Sequence, residues 1–223
     1  MSAGSRLTED QIAQRAAMEI RDGEVVNVGA GMPFLVSQYV PPGIFAMFHI
    51  EHGILGVGKV AGGEQIDPDL LGLGRRPLIP VPGASCFSSA EAFAMLRGGH
   101  VDLSVLGAYQ VSEEGDLANW IVPGQPSGVG GAMDIVKNVK RLFITMTHTT
   151  KKGEPKIVKR CSLPLTGARV VHKIFTDIAV IEVTPKGLVL EEVAPGFTPE
   201  EVQAATEPRL IISPELKEIS LQS

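Results

Sequence analysis

The sequence predicts an α/β fold with an open, largely parallel sheet, helices on both faces of that sheet, and a β-rich C-terminal part. In the first two thirds of the chain, short apolar runs alternate with segments of helical periodicity, which is typical of parallel sheets. From Ile157 onward, apolar runs of β-strand type follow one another closely. The chain has 223 residues, a length that one large domain accommodates. We therefore expect a single domain over residues 1–223.

Three predicted helices begin at capping boxes, in which a Ser or Thr and a Glu or Gln three residues later bind each other's backbone N–H groups. Thr8 begins the first predicted helix, over 8–21. Ser88 begins a helix that two glycines end, and Thr198, followed by Pro199, begins the last one. Two further predicted helices follow glycine or proline turns: 34–40 and a segment ending near residue 139.

The predicted strands are apolar runs bounded by glycine, proline or charged residues. They are 25–28, 45–51, 78–83, 101–107, 141–147, 174–183, 187–193 and 210–212. The runs 174–183 and 187–193 are predicted to form a hairpin. Between Gly58 and Arg76 the sequence is polar, glycine-rich and without periodicity, which predicts a surface loop.

The composition is that of an ordinary soluble protein and excludes several classes. Hydrophobic residues make up 44% and charged residues 20%, so we predict neither disorder nor membrane residence. The net charge of -5 argues against nucleic acid as a partner. A basic cluster (Lys151, Lys152, Lys156, Lys159 and Arg160) is interrupted by uncharged and acidic residues. We interpret it as a solvated loop, with contact to a ligand phosphate as the alternative.

Cysteine usage and the N-terminus indicate the compartment. Cys86 and Cys161 are far apart and lack CxxC spacing, so they predict neither a disulfide framework nor a zinc site and fit a reducing environment. Residues 1–10 have neither the apolar core of a signal peptide nor an Arg-rich transit pattern. No uncharged apolar run approaches the roughly 18 residues of a membrane span. We expect a cytoplasmic protein without a membrane partner.

One carboxylate stands out at the end of the strand predicted over 45–51. Glu51 follows an apolar run and precedes a glycine-rich turn, and ligands of open α/β sheets bind outside the carboxyl ends of strands. Glu51 is therefore a candidate reacting group; the alternative is a strand-end carboxylate paired with a Lys or Arg. His49 and His52 flank it, but side chains at this spacing on a strand point to opposite faces, and we predict no metal site.

A carboxylate among glycine turns suits acyl-group chemistry. Glu is ionised at neutral pH and attacks an activated acyl group directly. The product is a mixed anhydride, which stays activated and can be passed on to a thiolate. Glycine turns, such as the one containing Gly29 and Gly31 after the strand 25–28, allow backbone N–H groups to approach a ligand and stabilise an oxyanion. Such a site must exclude water.

These residues resemble a known family. Glu51-His52-Gly53-Ile54-Leu55-Gly56-Val57-Gly58 is similar to the Ser-Glu-Asn-Gly glutamate loop in the β subunit of class I CoA-transferases, the succinyl-CoA:3-oxoacid and acetoacetate type. Further matches occur in order over nearly the whole chain. They include Asn27-Val28-Gly29-Ala30-Gly31-Met32-Pro33, Arg97-Gly98-Gly99-His100-Val101-Asp102, Gly115-Asp116-Leu117-Ala118-Asn119-Trp120 and Gly130-Gly131-Ala132-Met133-Asp134.

The resemblance implies a fold of the NagB/RpiA/CoA-transferase-like kind and a role for Glu51 as the nucleophile. Glu51 would form an acyl-glutamyl anhydride and then a glutamyl-CoA thioester, and CoA would pass to a second acid, such as a 3-oxo acid. CoA would be a substrate, with no permanently bound cofactor. An α subunit of similar fold would be required, with the site between the two chains. The implied substrate-binding and CoA-binding residues are Gly29, Gly31, His52, Gly53, Gly130 and Gly131.

The sequence departs from the family at Ile50 and His52, which replace Ser and Asn. We hypothesise that a neutral His52 replaces the Asn as a hydrogen-bond donor and alters the acid that is accepted. Two other functions remain open from the sequence: an acyl-CoA hydrolase that admits water to the anhydride, and a non-catalytic ligand-sensing module on the same scaffold. Retention of the glutamate and the glycine turns argues against the sensing module.

Overall fold

The computed structural model describes residues 4–60, 67–75, 77–124 and 128–221. Within these ranges the α-helices are α1 (Glu9–Ala17), α2 (Met32–Leu35), α3 (Ser89–Arg97), α4 (Ala132–Asn138) and α5 (Pro199–Ala204). The strands are β1 (Val25–Val28), β2 (Met47–Ile50), β3 (Ile54–Val60), β4 (Leu78–Cys86), β5 (Leu103–Leu106), β6 (Gln110–Ser112), β7 (Leu117–Ala118), β8 (Arg141–Thr145), β9 (Ile157–Val158), β10 (Lys173–Phe175), β11 (Ala179–Thr184), β12 (Gly187–Val193) and β13 (Ile211–Glu218).

Most of these strands form one sheet of ten, in the order β13-β12-β11-β10-β8-β5-β1-β2-β3-β4. The five central strands, from β10 to β2, run parallel to one another. Antiparallel pairs lie on both sides of them, β2–β3–β4 on one side and β10–β11–β12 on the other. The predicted α/β class, the largely parallel sheet and the β-rich C-terminal part are confirmed. The single domain stays a prediction.

The three predicted capping boxes are all present, at Thr8, Ser88 and Thr198. In the second of them, Ser88 Oγ accepts a hydrogen bond from the Glu91 N–H at 3.2 Å, and the Glu91 carboxylate accepts one from the Ser88 N–H at 2.9 Å. These local bonds satisfy N–H groups that have no partner inside the helix, which is why the sequence alone locates these helix starts.

Several boundaries differ from the sequence predictions. The first helix ends at Ala17 and not at residue 21, and the strand predicted over 174–183 is divided into β10 and β11, which pair antiparallel. Strand β3 continues past Gly58 to Val60 and pairs with β4, so Lys59 and Val60 are not in a loop; residues 61–66 and 76 of the predicted loop lie outside the described residues. The last strand was predicted over 210–212 but extends to Glu218. It lies at the edge of the sheet and is mostly exposed, so its polar sequence gives no apolar strand signal.

The sheet separates two hydrophobic cores, which confirms helices on both faces. Side chains alternate along each strand, so Val105 packs in the core that contains α1 and α2, whereas Leu106 packs in the core of α3, α4 and α5. No helix in the described ranges has the length and apolar composition of a membrane span. The cytoplasmic location stays a prediction.

The strand order changes direction at β1. From β1 the chain proceeds to β2, β3 and β4 on one side, and then returns to place β5 on the other side of β1. Parallel sheets open a crevice where the order reverses, outside the carboxyl ends of the two strands concerned. In this chain those ends are Val28 of β1 and Leu106 of β5.

Candidate active site

Glu51 is the first residue after β2, in the turn that leads into β3. The three residues before it are buried, so the strand holds the carboxylate at its carboxyl end. Gly53 closes the turn by donating its N–H to the Ile50 carbonyl oxygen at 3.0 Å, and its own carbonyl oxygen accepts the Phe87 N–H at 2.9 Å. The turn that holds Glu51 is therefore fixed both to β2 and to the segment that precedes α3.

We expect Gly53→Ala to lower the free energy of unfolding by about 3 kcal/mol. Gly53 has a φ of 102°, and a Cβ atom there would overlap the Phe87 carbonyl oxygen. Gly23→Ala is the control, because Gly23 has a φ of 80° but a Cβ atom there meets nothing within 4 Å. The control should lose only about 1 kcal/mol. Equal losses in urea unfolding would contradict the steric explanation.

Glu51 lines a cavity of about 160 Å³ at the crevice between β1 and β5. The predicted binding residues Gly29, Gly130 and Gly131 line the same cavity, together with Leu106. The structure thus brings these glycines, distant in sequence, next to the predicted reacting group. The cavity is completed by Asn27, Val28, Ala30, Leu73, Val129, Ala132 and Ile135.

Gly131 is the glycine in closest contact with the carboxylate. A Cβ atom at this position would overlap both Glu51 Oε2 and the ring of Phe93. The backbone of Gly131, with φ of -87°, is in a conformation that any residue adopts. Glycine is therefore required here because a side chain has no space beside Glu51, and not because of the backbone angles.

Gly29 allows a different close contact, which is between the ends of β1 and β5. Its N–H donates to the Val105 carbonyl oxygen at 2.9 Å, and a Cβ atom would lie 2.9 Å from Leu106 Cδ2. Gly29 thereby lets the ends of β1 and β5 meet at the crevice. Gly31, by contrast, is not among the residues that line the Glu51 cavity; it has a φ of 80° and is the N-cap residue that precedes α2.

The electrostatic environment of Glu51 favours a reactive carboxylate. Burial raises the pKa of Glu51, and the nearby His52 offsets part of that rise. Within the described residues, no Lys or Arg forms an ion pair with Glu51. A carboxylate that is poorly solvated and unpaired is a stronger base and nucleophile than a free one. The His52 side chain is exposed, and its role toward the acid stays a prediction.

Sequence reasoning missed a buried polar network beneath the site. Ser104 Oγ donates to Asn27 Oδ1 at 2.8 Å, and the Asn27 amide lies 3.1 Å from His49 Nδ1. Because Asn27 Oδ1 accepts from Ser104, its NH₂ group donates to Nδ1, and His49 is neutral; burial lowers the pKa of His49 to about 4. Asn27 also lines the Glu51 cavity. The sequence signal for this network is one polar residue inside each of three otherwise apolar strands.

Comparisons with known proteins agree with this geometry. The family model described as coenzyme A transferase matches residues 9–205. One subunit of the probable succinyl-CoA:3-ketoacid coenzyme A transferase of Bacillus subtilis (strain 168) is 47% identical, over 91% of this chain and 94% of that protein. The mitochondrial succinyl-CoA:3-ketoacid coenzyme A transferase 2B of Mus musculus is 46% identical, but this chain spans only 40% of its length.

Among solved structures, an acyl-CoA transferase (YdiF) of Escherichia coli O157:H7 superposes with a TM-score of 0.76 at 21% identity. The superposition covers 96% of this chain and 43% of that one, and at this identity the likeness is one of fold. The resemblance seen in the glutamate loop and the glycine motifs is confirmed by the family match. The chain belongs to the coenzyme A transferase family.

Proposed function

We propose that this chain is the β subunit of an enzyme that transfers CoA between an acyl-CoA and a 3-oxo acid, with Glu51 as the nucleophile. The observation that carries the proposal is the position of Glu51. Its carboxylate stands at the carboxyl end of a central strand, in a cavity whose glycine backbone lies directly against it. The name of the Bacillus subtilis relative, at 47% identity, supports succinyl-CoA as the acyl donor.

The reaction proceeds through two kinds of intermediate on Glu51. A carboxylate oxygen attacks the carbonyl carbon of the acyl-CoA; the C–S bond breaks and leaves an acyl-glutamyl anhydride and the CoA thiolate. The thiolate attacks the glutamyl carbonyl carbon, which forms a glutamyl-CoA thioester and releases the first acid. The second acid attacks this thioester to give a new anhydride, and the thiolate then attacks its acyl carbon. This last step regenerates the Glu51 carboxylate and completes the new acyl-CoA.

Three features of the chain promote these steps. The raised pKa of Glu51 makes its carboxylate a better nucleophile toward the thioester. The turn at Gly130-Gly131 brings backbone groups close to Glu51, where an N–H would stabilise the developing oxyanion. The largely apolar lining of the cavity limits access of water to the anhydride. CoA enters as a substrate and not as a resident cofactor.

We further propose that an α subunit of similar fold completes the site. The Bacillus subtilis relative is named as one subunit of a transferase. A relative from Escherichia coli (strain K12), 43% identical over 93% of this chain, is named acetate CoA-transferase subunit beta. Both names support a partner chain. In the mouse relative this chain corresponds to 40% of a longer polypeptide. That proportion fits a protein in which two such units are joined.

Chemical trapping tests the proposal. The chain, purified with its partner subunit, is incubated with succinyl-CoA and treated with borohydride, which reduces the glutamyl thioester to an alcohol. Mass spectrometry should find this modification at Glu51, and only after exposure to acyl-CoA. Modification at another residue, or none, would refute the nucleophile.

The same preparation separates the alternative functions. CoA transfer requires a carboxylic acid acceptor, whereas a hydrolase would release CoA at a rate that is independent of added acetoacetate. A ligand-sensing module would bind succinyl-CoA and form no covalent adduct. Formation of acetoacetyl-CoA that rises with acetoacetate and saturates, without net release of free CoA, is the result that supports transfer.

A further inference from the structure

The cavity at Glu51 continues into a groove along the carboxyl edge of the sheet. Gly29, Ala30 and Leu106 line both the Glu51 cavity and a second cavity of about 540 Å³. Tyr109, Thr147 and Lys156 line both this second cavity and a third of about 530 Å³. A ligand that reacts at Glu51 therefore has room to extend past β5 and β8 as far as Lys156.

Lys156 differs from the rest of the basic cluster in which it lies. The other four cationic residues (Lys151, Lys152, Lys159 and Arg160) are exposed, whereas Lys156 is half-buried in the groove. Its backbone is fixed on both sides: its N–H donates to the His148 carbonyl oxygen at 3.1 Å, and its carbonyl oxygen accepts the Val111 N–H at 2.9 Å. The cluster was interpreted as a solvated loop, and Lys156 is the exception.

The charge of Lys156 is not balanced by a close carboxylate. In the described part of the chain Lys156 forms no ion pair, and the carboxylate that acts on it electrostatically, Asp177, is already paired with Arg6 at 2.6 Å. Burial lowers the pKa of Lys156 to about 8, with Asp177 opposing that change. The carboxylates that line the second and third cavities, Glu9 and Glu154, are exposed to solvent. A half-buried cation of this kind is stabilised by an anion that enters the groove.

A second unsatisfied polar group lines the same part of the groove. Thr145, the last residue of β8, is 1% exposed, and its hydroxyl has no hydrogen-bond partner among the described residues. Buried hydroxyls without partners are rare in folded proteins. The neighbouring polar side chains are already engaged: Thr147 donates to the Thr149 carbonyl oxygen, and Asn119 donates to that of Gly107.

We propose that Lys156 is a specificity-determining residue, which binds a carboxylate or phosphate group of the substrate remote from the carbonyl that reacts at Glu51. The proposal rests on the proposed CoA transfer and adds to it the class of substrate group that the groove recognises. The two sources of such a group are the distal carboxylate of a dicarboxylic acyl donor and a phosphate of CoA.

Calorimetric measurement of ligand binding tests the proposal. The protein is the chain with its partner subunit, and it carries Glu51→Gln so that no turnover occurs. The variants are Lys156→Met and, as the matched control, Lys152→Met on the exposed part of the cluster. The ligands are succinyl-CoA, acetyl-CoA and acetylpantetheine, which lacks every phosphate. Lys156→Met should weaken binding of a ligand that carries the recognised group by about ten- to hundredfold, the effect of losing a charge-assisted hydrogen bond.

The three ligands identify the group. If it is the distal carboxylate, only succinyl-CoA binds more weakly; if it is a phosphate, both CoA thioesters do and acetylpantetheine does not. Unchanged affinity for all three, or equal weakening that includes acetylpantetheine, overturns the proposal. Activity assays on the parent decide the proposed CoA transfer separately, because these binding measurements involve no reaction at Glu51.

Discussion

Glu51→Gln should lower kcat for CoA transfer by at least about a thousandfold, the scale on which loss of a covalent nucleophile acts. The amide has nearly the same shape as the carboxylate but cannot form the anhydride. The measurement is the rate of acetoacetyl-CoA formation from succinyl-CoA and acetoacetate, with the partner subunit present. Transfer within about tenfold of the parent would remove Glu51 from the mechanism.

Stability measurements separate this effect from misfolding. Burial raises the pKa of Glu51, so the folded state binds its proton more readily than the unfolded state does. The protonated carboxyl group therefore contributes to the free energy of unfolding at low pH, and this contribution is lost as the pH rises through the folded-state pKa. At pH 7 the ionised carboxylate lowers the free energy of unfolding. Glu51→Gln should therefore unfold at the same denaturant concentration as the parent, or a higher one.

Gly131→Ala should lower kcat by about a hundredfold with little change in backbone conformation. The added methyl group would overlap Glu51 Oε2 and Phe93, so the carboxylate must move away from its reactive position. Displacing a reacting group by about 1 Å has an effect of this size. The φ of -87° at Gly131 is compatible with alanine, so the cause is steric.

Gly128→Ala is the matched control for this prediction. Gly128 lies three positions earlier in the same glycine cluster, and a Cβ atom there meets no other atom within 4 Å. Its kcat should remain within about twofold of the parent, because nothing near Glu51 is displaced. Similar losses in the two variants would show that the cluster tolerates no side chain anywhere, and that contact with Glu51 is not the cause.

The features that could be predicted from the sequence are those with a local cause. The capping boxes at Thr8, Ser88 and Thr198 lie within four residues of chain, and their hydrogen bonds are the ones that the structure shows. The alternation of apolar strands and helices gave the parallel sheet in the same way. Glu51 was identified because an apolar strand and a glycine turn adjoin it directly.

The features that escaped prediction depend on residues far apart in the chain. Asn27, His49 and Ser104 meet only because β2 and β5 both pair with β1, in register at these positions. Lys156 could not be told from its exposed neighbours, since its burial depends on the groove beside β8. The sequence holds each polar residue, but only the strand order shows which ones meet.

The turn after β2 has a consequence for how the site operates. Gly53 bonds to Ile50 on one side and to Phe87 on the other, so the segment holding Glu51 is ordered as part of folding. The conformational entropy of placing the carboxylate is then lost once, when the protein folds, and not in every catalytic cycle. Substrates meet a nucleophile that is already in position, and what remains to be ordered is the flexible acyl-CoA itself.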